Sequence, residues 1–165
     1  MTQFTDLGLS QPVLQALDLK GYKEPTPIQA QAIPVILAGH DMIGQAQTGT
    51  GKTAAFGLAI LNTVDADVMA TQSLVLCPTR ELAEQVATEL RRLAQRQANT
   101  RILTACGGRP YRDQMLSLQR GAHVVVGTPG RIGKHLRKES LLLDGLRILV
   151  CDEADRMLDM GFIEQ

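Results

Sequence analysis

Apolar residues along this chain fall into short continuous runs separated by longer stretches with helical spacing. The runs are Ser73 to Cys77, stopped by Pro78; Arg101 to Cys106, stopped by Gly107-Gly108; His123 to Val126, broken by Gly127-Thr128-Pro129-Gly130; and Leu146 to Cys151. A fifth apolar segment, Met42-Ile43, leads into a glycine-bearing loop. Between them the spacing predicts helices. Ser10 caps one that runs to about Leu19 with Val13, Leu14 and Leu17 as its stripe, ended by Gly21. Thr26 caps the next, with Pro27 as its first residue and Gly39 as its stop; Ile28, Ala32, Ile33, Ile36 and Leu37 form its apolar face. Ala54 to Leu61 follow the loop as a third helix, and Arg80 to about Gln97 carry Leu82, Val86, Leu90 and Leu93 on one side. Tyr111 to Gln119 and a weaker stretch to about Lys138, softened by Gly133, complete the set. Five strands alternating with helices predict an α/β fold: an open, mostly parallel sheet with helices on both faces. The loops at the carboxyl ends of such strands build the site.

Composition narrows this picture. At 165 residues, with 44% hydrophobic and 21% charged positions, the chain reads as one globular domain. There is no run of 18 apolar residues, and Met1 to Asp6 lack the basic start and apolar core of a signal peptide, so a cytoplasmic protein without membrane association is expected. Cys77, Cys106 and Cys151 sit in or at the end of apolar runs and make no C-x-x-C; they read as buried, reduced thiols, and no structural metal is expected. The net charge is zero, but the distribution is uneven. Residues 80–138 hold twelve Lys/Arg against four Asp/Glu, whereas residues 1–79 hold three against six and residues 139–165 two against seven. A basic middle between acidic ends suggests a local surface facing a polyanion, although Arg91, Arg92 and Arg96 read as a solvated helix face.

The chemistry is concentrated in two places. Ala46-Gln47-Thr48-Gly49-Thr50-Gly51-Lys52-Thr53 closely follows the phosphate-loop pattern, with Ala46 where the first glycine normally stands. Backbone N–H groups of such a loop cradle phosphate oxygens, and the following helix N-terminus adds partial positive charge. Lys52 is placed to reach the outer phosphates, and the Thr53 hydroxyl to ligate Mg²⁺. A glycine turn feeding an ordinary helix would use similar letters. The second place is Asp152-Glu153, two carboxylates at the end of an apolar run. In nucleotide hydrolysis the first holds Mg²⁺ and the next serves the attacking water; acids decorating a helix start are the alternative.

Asp152-Glu153-Ala154-Asp155 spells D-E-A-D, and with Ala46–Thr53 the chain resembles the DEAD-box ATP-dependent RNA helicases, specifically their first RecA-like domain. Gly21 to Gln29 is similar to that family's Q motif, with Phe4 where the family places an aromatic. Pro78-Thr79-Arg80-Glu81-Leu82-Ala83 resembles motif Ia, Gly107-Gly108 the GG element, Thr128-Pro129-Gly130-Arg131 motif Ib, and Arg156 to Phe162 the segment after motif II. The wording of Leu74 to Leu93 and of Arg156 to Phe162 is most similar to the bacterial subfamily acting on 23S ribosomal RNA. The resemblance implies ATP and Mg²⁺ as cofactors. It implies that Gln29 reads adenine, Phe4 packs on it, residues 46–53 take the phosphates, Lys52, Asp152 and Glu153 act in hydrolysis, and Thr53 and Asp152 hold the metal. It further implies that Pro78, Thr79, Arg80, Gly107, Gly108, Thr128, Pro129, Gly130 and Arg131 grip the RNA sugar-phosphate backbone without regard to sequence, and that Asp155 couples the site to motif III.

On this resemblance residues 1–165 form an N-terminal RecA-like domain, with the Q motif at 2–30 and the ATP-binding core at 31–165. Motif III and a second RecA-like domain, its partner in catalysis, would lie beyond Gln165; the motif III strand would separate the phosphate-loop strand from that of Asp152. Ile132-Gly133-Lys134 departs from the family's usual wording after Arg131. Two other readings use the same residues: a non-catalytic RNA-binding module with an idle phosphate loop, and a P-loop ATPase of another kind, such as a DNA translocase.

Overall fold

The computed structural model describes residues 1–162 and divides into two compact units, Met1–Val64 with Glu89–Ala98, and Asp65–Thr88 with the residues from Asn99 onward.

The first unit is helical. A single 3₁₀ turn, Phe4–Leu7, precedes α1 (Gln11–Leu19), α2 (Pro27–Leu37) and α3 (Lys52–Thr63). The chain ends of these helices follow the expected punctuation: Ser10 and Thr26 are extended N-cap residues, and Gly21 and Gly39 take φ of +73° and +79° where an L side chain would be strained. α3 is buried continuously from Ala54 to Leu61. Gly57 lets α3 approach the end of helix α4 (Arg80–Leu93), because a Cβ at Gly57 would stand 2.9 Å from Leu90. Phe4 packs edge-to-face on Tyr22, with ring centroids 6.4 Å apart. The Tyr22 hydroxyl donates to Glu89 Oε1 at 3.0 Å; burial, followed by that carboxylate, raises its pKa above the ordinary value.

The second unit holds a four-stranded, all-parallel sheet of β1 (Ser73–Leu76), β2 (Ile102–Ala105), β3 (Val124–Gly127) and β4 (Ile148–Cys151), in the order β2-β3-β1-β4. Register is even across it: Leu76 stands opposite both Gly127 and Cys151, and Ala105 opposite Gly127. The central strands are buried on both faces, since Leu74, Val75 and Val124 to Val126 are all covered. A cluster of Leu74, Ala105, Ala122, Val125, Ile132 and Leu141 fills one face. Gly127 ends β3 where any Cβ would collide with the Ala105 carbonyl oxygen and the Ile132 side chain. α5 (Tyr111–Gln119), α6 (Pro129–Arg137) and α7 (Ala154–Asp159) follow β2, β3 and β4.

Three expectations are corrected. The Met42-Ile43 segment forms no strand; Ile43 is 99% exposed, and the described sheet has four strands rather than five. A strand exists only through its ladder, and no strand among the described residues pairs with this segment. Cys151 is exposed, unlike Cys77 and Cys106. The reason is that side chains alternate between the two faces of β4, and the face carrying Leu149 and Cys151 is left uncovered. The apolar face of α4 is also shifted from the expected one, with Ala83, Val86, Ala87, Leu90 and Leu93 buried and Leu82 only partly so.

Because Leu90 is fully buried and packed over Gly57, Leu90→Ala is expected to destabilise the protein by about 2–5 kcal/mol. Urea unfolding followed by circular dichroism measures this; an unchanged midpoint would contradict the packing described.

Candidate nucleotide and nucleic-acid sites

In the first unit the phosphate loop leads directly into α3. Gly49 and Gly51 adopt φ of +82° and +89°, which turn the backbone so that the loop closes on the first helical residue, Lys52. Thr50 closes the turn through its hydroxyl, which donates to the Gln47 carbonyl at 2.6 Å. Ala46 to Gly51 are exposed or half-buried, and Lys52 and Thr53 are half-buried at the helix start. Ala46 fills the first-glycine position with no positive φ required.

Gln29 lies against this loop. It is 1% exposed; its Oε1 accepts the Thr26 N–H at 3.0 Å, and its Nε2 donates to the Gly51 carbonyl at 3.2 Å. A side chain on Gly51 would collide with that amide nitrogen and approach Thr26 Oγ1 to 3.2 Å. Thr26 Oγ1 is itself buried with no hydrogen-bond partner. Phe4 is 5% exposed and engaged with Tyr22.

In the second unit the parallel pairing brings four strand ends to one edge of the sheet. Pro78, Thr79 and Arg80 follow β1; Gly107 and Gly108 follow β2; Thr128 to Arg131 follow β3; Asp152 and Glu153 follow β4. Thr79 Oγ1 accepts the Leu82 N–H at 3.3 Å, capping α4 and leaving the hydroxyl proton to donate outward. The Arg80 guanidinium lies on the Gly107-Gly108 backbone, so closely that a side chain on Gly108, whose φ is +79°, would collide with it. Arg109 pairs with Glu84 at 2.8 Å. One amino group of Arg131 donates to the Arg109 carbonyl and to Gln114 Oε1, both at 3.0 Å.

Glu153 takes φ +51° and ψ +50°, a left-handed conformation uncommon for this residue type, and sits at the N-cap of α7. Its carboxylate lies 3.3 Å from Arg156. The Asp152 N–H continues the β4 ladder by donating to the Leu76 carbonyl at 2.9 Å. Asp155 is exposed. The nearby thiols are poor nucleophiles. Burial first, then the Asp152 carboxylate, pushes the Cys77 thiol well up. Burial, then Glu84, raises Cys106 against an opposing hydrogen bond from the Thr128 backbone.

Two neighbours of Arg131 escaped the sequence reading. Gln114, 4% exposed, and His135, fully buried, link α5 to α6 beneath Arg131. Nothing in their spacing marks them, because a glutamine and a histidine on amphipathic helices read as solvated positions until both helices are packed.

The family model for DEAD/DEAH box helicases matches residues 26–165. The chain belongs to the DEAD/DEAH box helicase family. It is 58% identical over 163 residues to the ATP-dependent RNA helicase DbpA of Escherichia coli (strain K12), covering 98% of this chain and 36% of that protein. It is 50% identical over 163 residues to the ATP-dependent RNA helicase DeaD of Klebsiella pneumoniae, covering 99% of this chain and 25% of the relative. A crystal structure of a DEAD box protein from the hyperthermophile Methanococcus jannaschii superposes with a TM-score of 0.93 at 39% identity, covering 99% of this chain and 45% of that one. This DEAD-box chain thus has the RecA-like α/β fold expected of it, and it spans roughly a third or less of the curated relatives cited here.

His135 offers a measurement within the second unit. Burial, then the charges of Arg131 and Lys134, lower its pKa below the ordinary 6.5. The unfolded chain therefore takes up the proton first, so this contribution to stability is complete above 6.5 and is lost as pH falls through it. Between pH of about 7.5 and about 5.5 the urea midpoint is expected to fall, and His135→Phe is expected to lessen that fall. An identical pH dependence in the two proteins would show that His135 is not held neutral.

Proposed function

We propose that this chain is the ATP-binding half of an ATP-dependent RNA helicase, binding ATP·Mg²⁺ and the RNA sugar-phosphate backbone. In the whole protein it would couple hydrolysis to duplex unwinding, with a second RecA-like domain completing both clefts. The observation that carries the reading is the gathering of four family motifs at one edge of a parallel sheet, in a chain whose phosphate loop opens directly into a buried helix.

The residues fit the groups assigned to them. Gly49 and Gly51 form a loop without side-chain obstruction, and the unpartnered Thr26 hydroxyl beside Gly51 is a buried polar group available to a ligand or water. Lys52 carries a charge for the outer phosphates. Thr53 and Asp152 would each supply an oxygen donor of the kind Mg²⁺ prefers. Mg²⁺, when bound, would neutralise charge on the phosphates. Glu153 would orient and deprotonate the attacking water. Gln29 uses one donor and one acceptor position on Thr26 and Gly51, leaving one of each, the number that adenine N6 and N7 require. Its burial means that adenine contact needs the surrounding segment to open; the same holds for Phe4. Asp155, exposed on α7, would couple to motif III.

For RNA, Thr79, Arg80, Gly107, Gly108, Thr128 and Arg131 would supply hydroxyl, amide and guanidinium donors, with Pro78, Pro129 and Gly130 shaping the loops. All fall in or beside the basic segment of residues 80–138. Such binding is independent of sequence and falls with salt. The likeness to the 23S ribosomal RNA subfamily suggests work in ribosome assembly, in the cytoplasm. Among the described residues no helix is long and apolar enough to cross a membrane.

Titration with fluorescent ADP tests the reading. Lys52→Ala is expected to abolish binding, and Gln29→Ala to erase any preference for ATP over GTP. Indifference to Lys52→Ala would favour the non-catalytic RNA-binding module, and equal ATP and GTP binding before and after Gln29→Ala would favour another P-loop ATPase. RNA-stimulated turnover by these 165 residues is expected to be nearly absent, since arginine fingers are worth about 10³–10⁵ in rate.

A further inference from the structure

We propose that Gln114 and His135 are positioning residues for Arg131, turning its guanidinium so that its free edge meets an RNA phosphate; this rests on the reading of Arg131 as an RNA contact.

The hydrogen-bond directions around the Gln114 amide allow one arrangement. Gln114 Nε2 lies 2.9 Å from the Cys106 carbonyl oxygen. Only the NH₂ end of the amide can face a carbonyl, so Oε1 must point the other way, toward α6. There it meets Arg131 at 3.0 Å and His135 Nε2 at 2.9 Å. An amide oxygen has two lone pairs, and both are now taken. His135 must carry its proton on Nε2 in order to donate. Its Nδ1 then faces the Ser140 hydroxyl at 2.8 Å, whose single proton is shared between Nδ1 and the His135 carbonyl oxygen at 3.2 Å, and the Ser140 oxygen lies 2.7 Å from the Tyr111 hydroxyl. The Tyr111 ring stacks on the imidazole at 4.4 Å and 16°. A chain of hydrogen bonds therefore links Tyr111, Ser140 and His135 to Gln114, where Arg131 joins it.

The consequence falls on Arg131. Both protons of one amino group are spent, on Gln114 and on the Arg109 carbonyl. Nε and the second amino group have no hydrogen-bond partner among the described residues, while the guanidinium carbon lies 6.0 Å from the Tyr111 ring centroid. Those two nitrogens lie along one edge of the planar group and form the fork that matches two phosphate oxygens. Glu84, the acid paired with Arg109, is already occupied at 2.8 Å. Lys134, 4.9 Å from the Tyr111 ring centroid, adds positive charge beside the fork. Arginine is ordinarily a flexible side chain, and fixing it before RNA arrives lowers the ordering cost of each contact.

Binding of a fluorescein-labelled uridine oligoribonucleotide to the 165-residue chain, read by anisotropy across a salt series, tests this. Arg131→Ala is expected to weaken binding and to reduce the salt slope by about 1. Gln114→Met, which keeps the volume and removes both polar ends, is expected to weaken binding about three- to tenfold and to lower the slope toward the Arg131→Ala value. In the Arg131→Ala background, Gln114→Met should add nothing. His135→Phe, which keeps the ring stack and loses the donor, should behave as a weaker Gln114→Met, and it carries the test if Gln114→Met does not fold. An equal loss from Gln114→Met with and without Arg131 would mean a structural tie only and would overturn the proposal. So would wild-type binding by both Gln114→Met and His135→Phe while Arg131→Ala is impaired. If Arg131→Ala itself binds normally, the RNA reading of Arg131 falls, and the positioning role with it.

Discussion

Parallel pairing of four short strands is the constraint from which the site geometry follows. Each strand is only four residues long, and none could persist alone; the even ladder of β2-β3-β1-β4 holds them. Parallel pairing also sends every carboxyl end to the same edge. Four loops separated by tens of residues in sequence therefore open side by side, and each carries a different donor or acceptor: the Thr79 hydroxyl, the Gly107-Gly108 amides, the Arg131 guanidinium and the Asp152 and Glu153 carboxylates. Antiparallel pairing of the same strands would split this set between two edges.

Close backbone approach is the second device, and glycine supplies it where side chains cannot fit. Gly108 admits the Arg80 guanidinium onto the backbone, and Gly127 admits β2 and α6 to the end of β3. In the helical unit Gly51 gives its carbonyl to Gln29, tying the phosphate loop to the start of α2. The glutamine amide is well suited to such a tie because it donates and accepts at once. Gln29 and Gln114 are both almost wholly buried, both satisfied at each end, and both placed beneath a loop with a proposed ligand role.

Edges explain what departs from regularity. β4 has a neighbour on one side only among the described strands, and one of its faces, carrying Leu149 and Cys151, is exposed while the central valines of β3 are fully covered. Beyond it the chain turns through Glu153 in a left-handed conformation before α7 begins. That backbone shape, at the residue proposed to serve the attacking water, is a property of the fold and is invisible in the letters.

Local physics determined much of this protein from the sequence alone. Helix starts at Gln11 and Pro27 follow from caps and prolines, and four strands follow from apolar runs ended by Pro, Gly or acidic residues, because these signals act over a few residues. The motifs around Lys52, Arg131 and Asp152 were legible for the same reason: spacing within a loop is a local quantity. Tertiary structure decided the rest. Whether Met42-Ile43 becomes a strand depends on a distant partner, and the exposure of Cys151 depends on which face of β4 is covered. The engagement of Gln29 with Gly51, and of Gln114 with His135 and Arg131, arises only when separate helices are packed. Hydrogen bonds between remote side chains depend on three-dimensional distance, which no periodicity along the chain records.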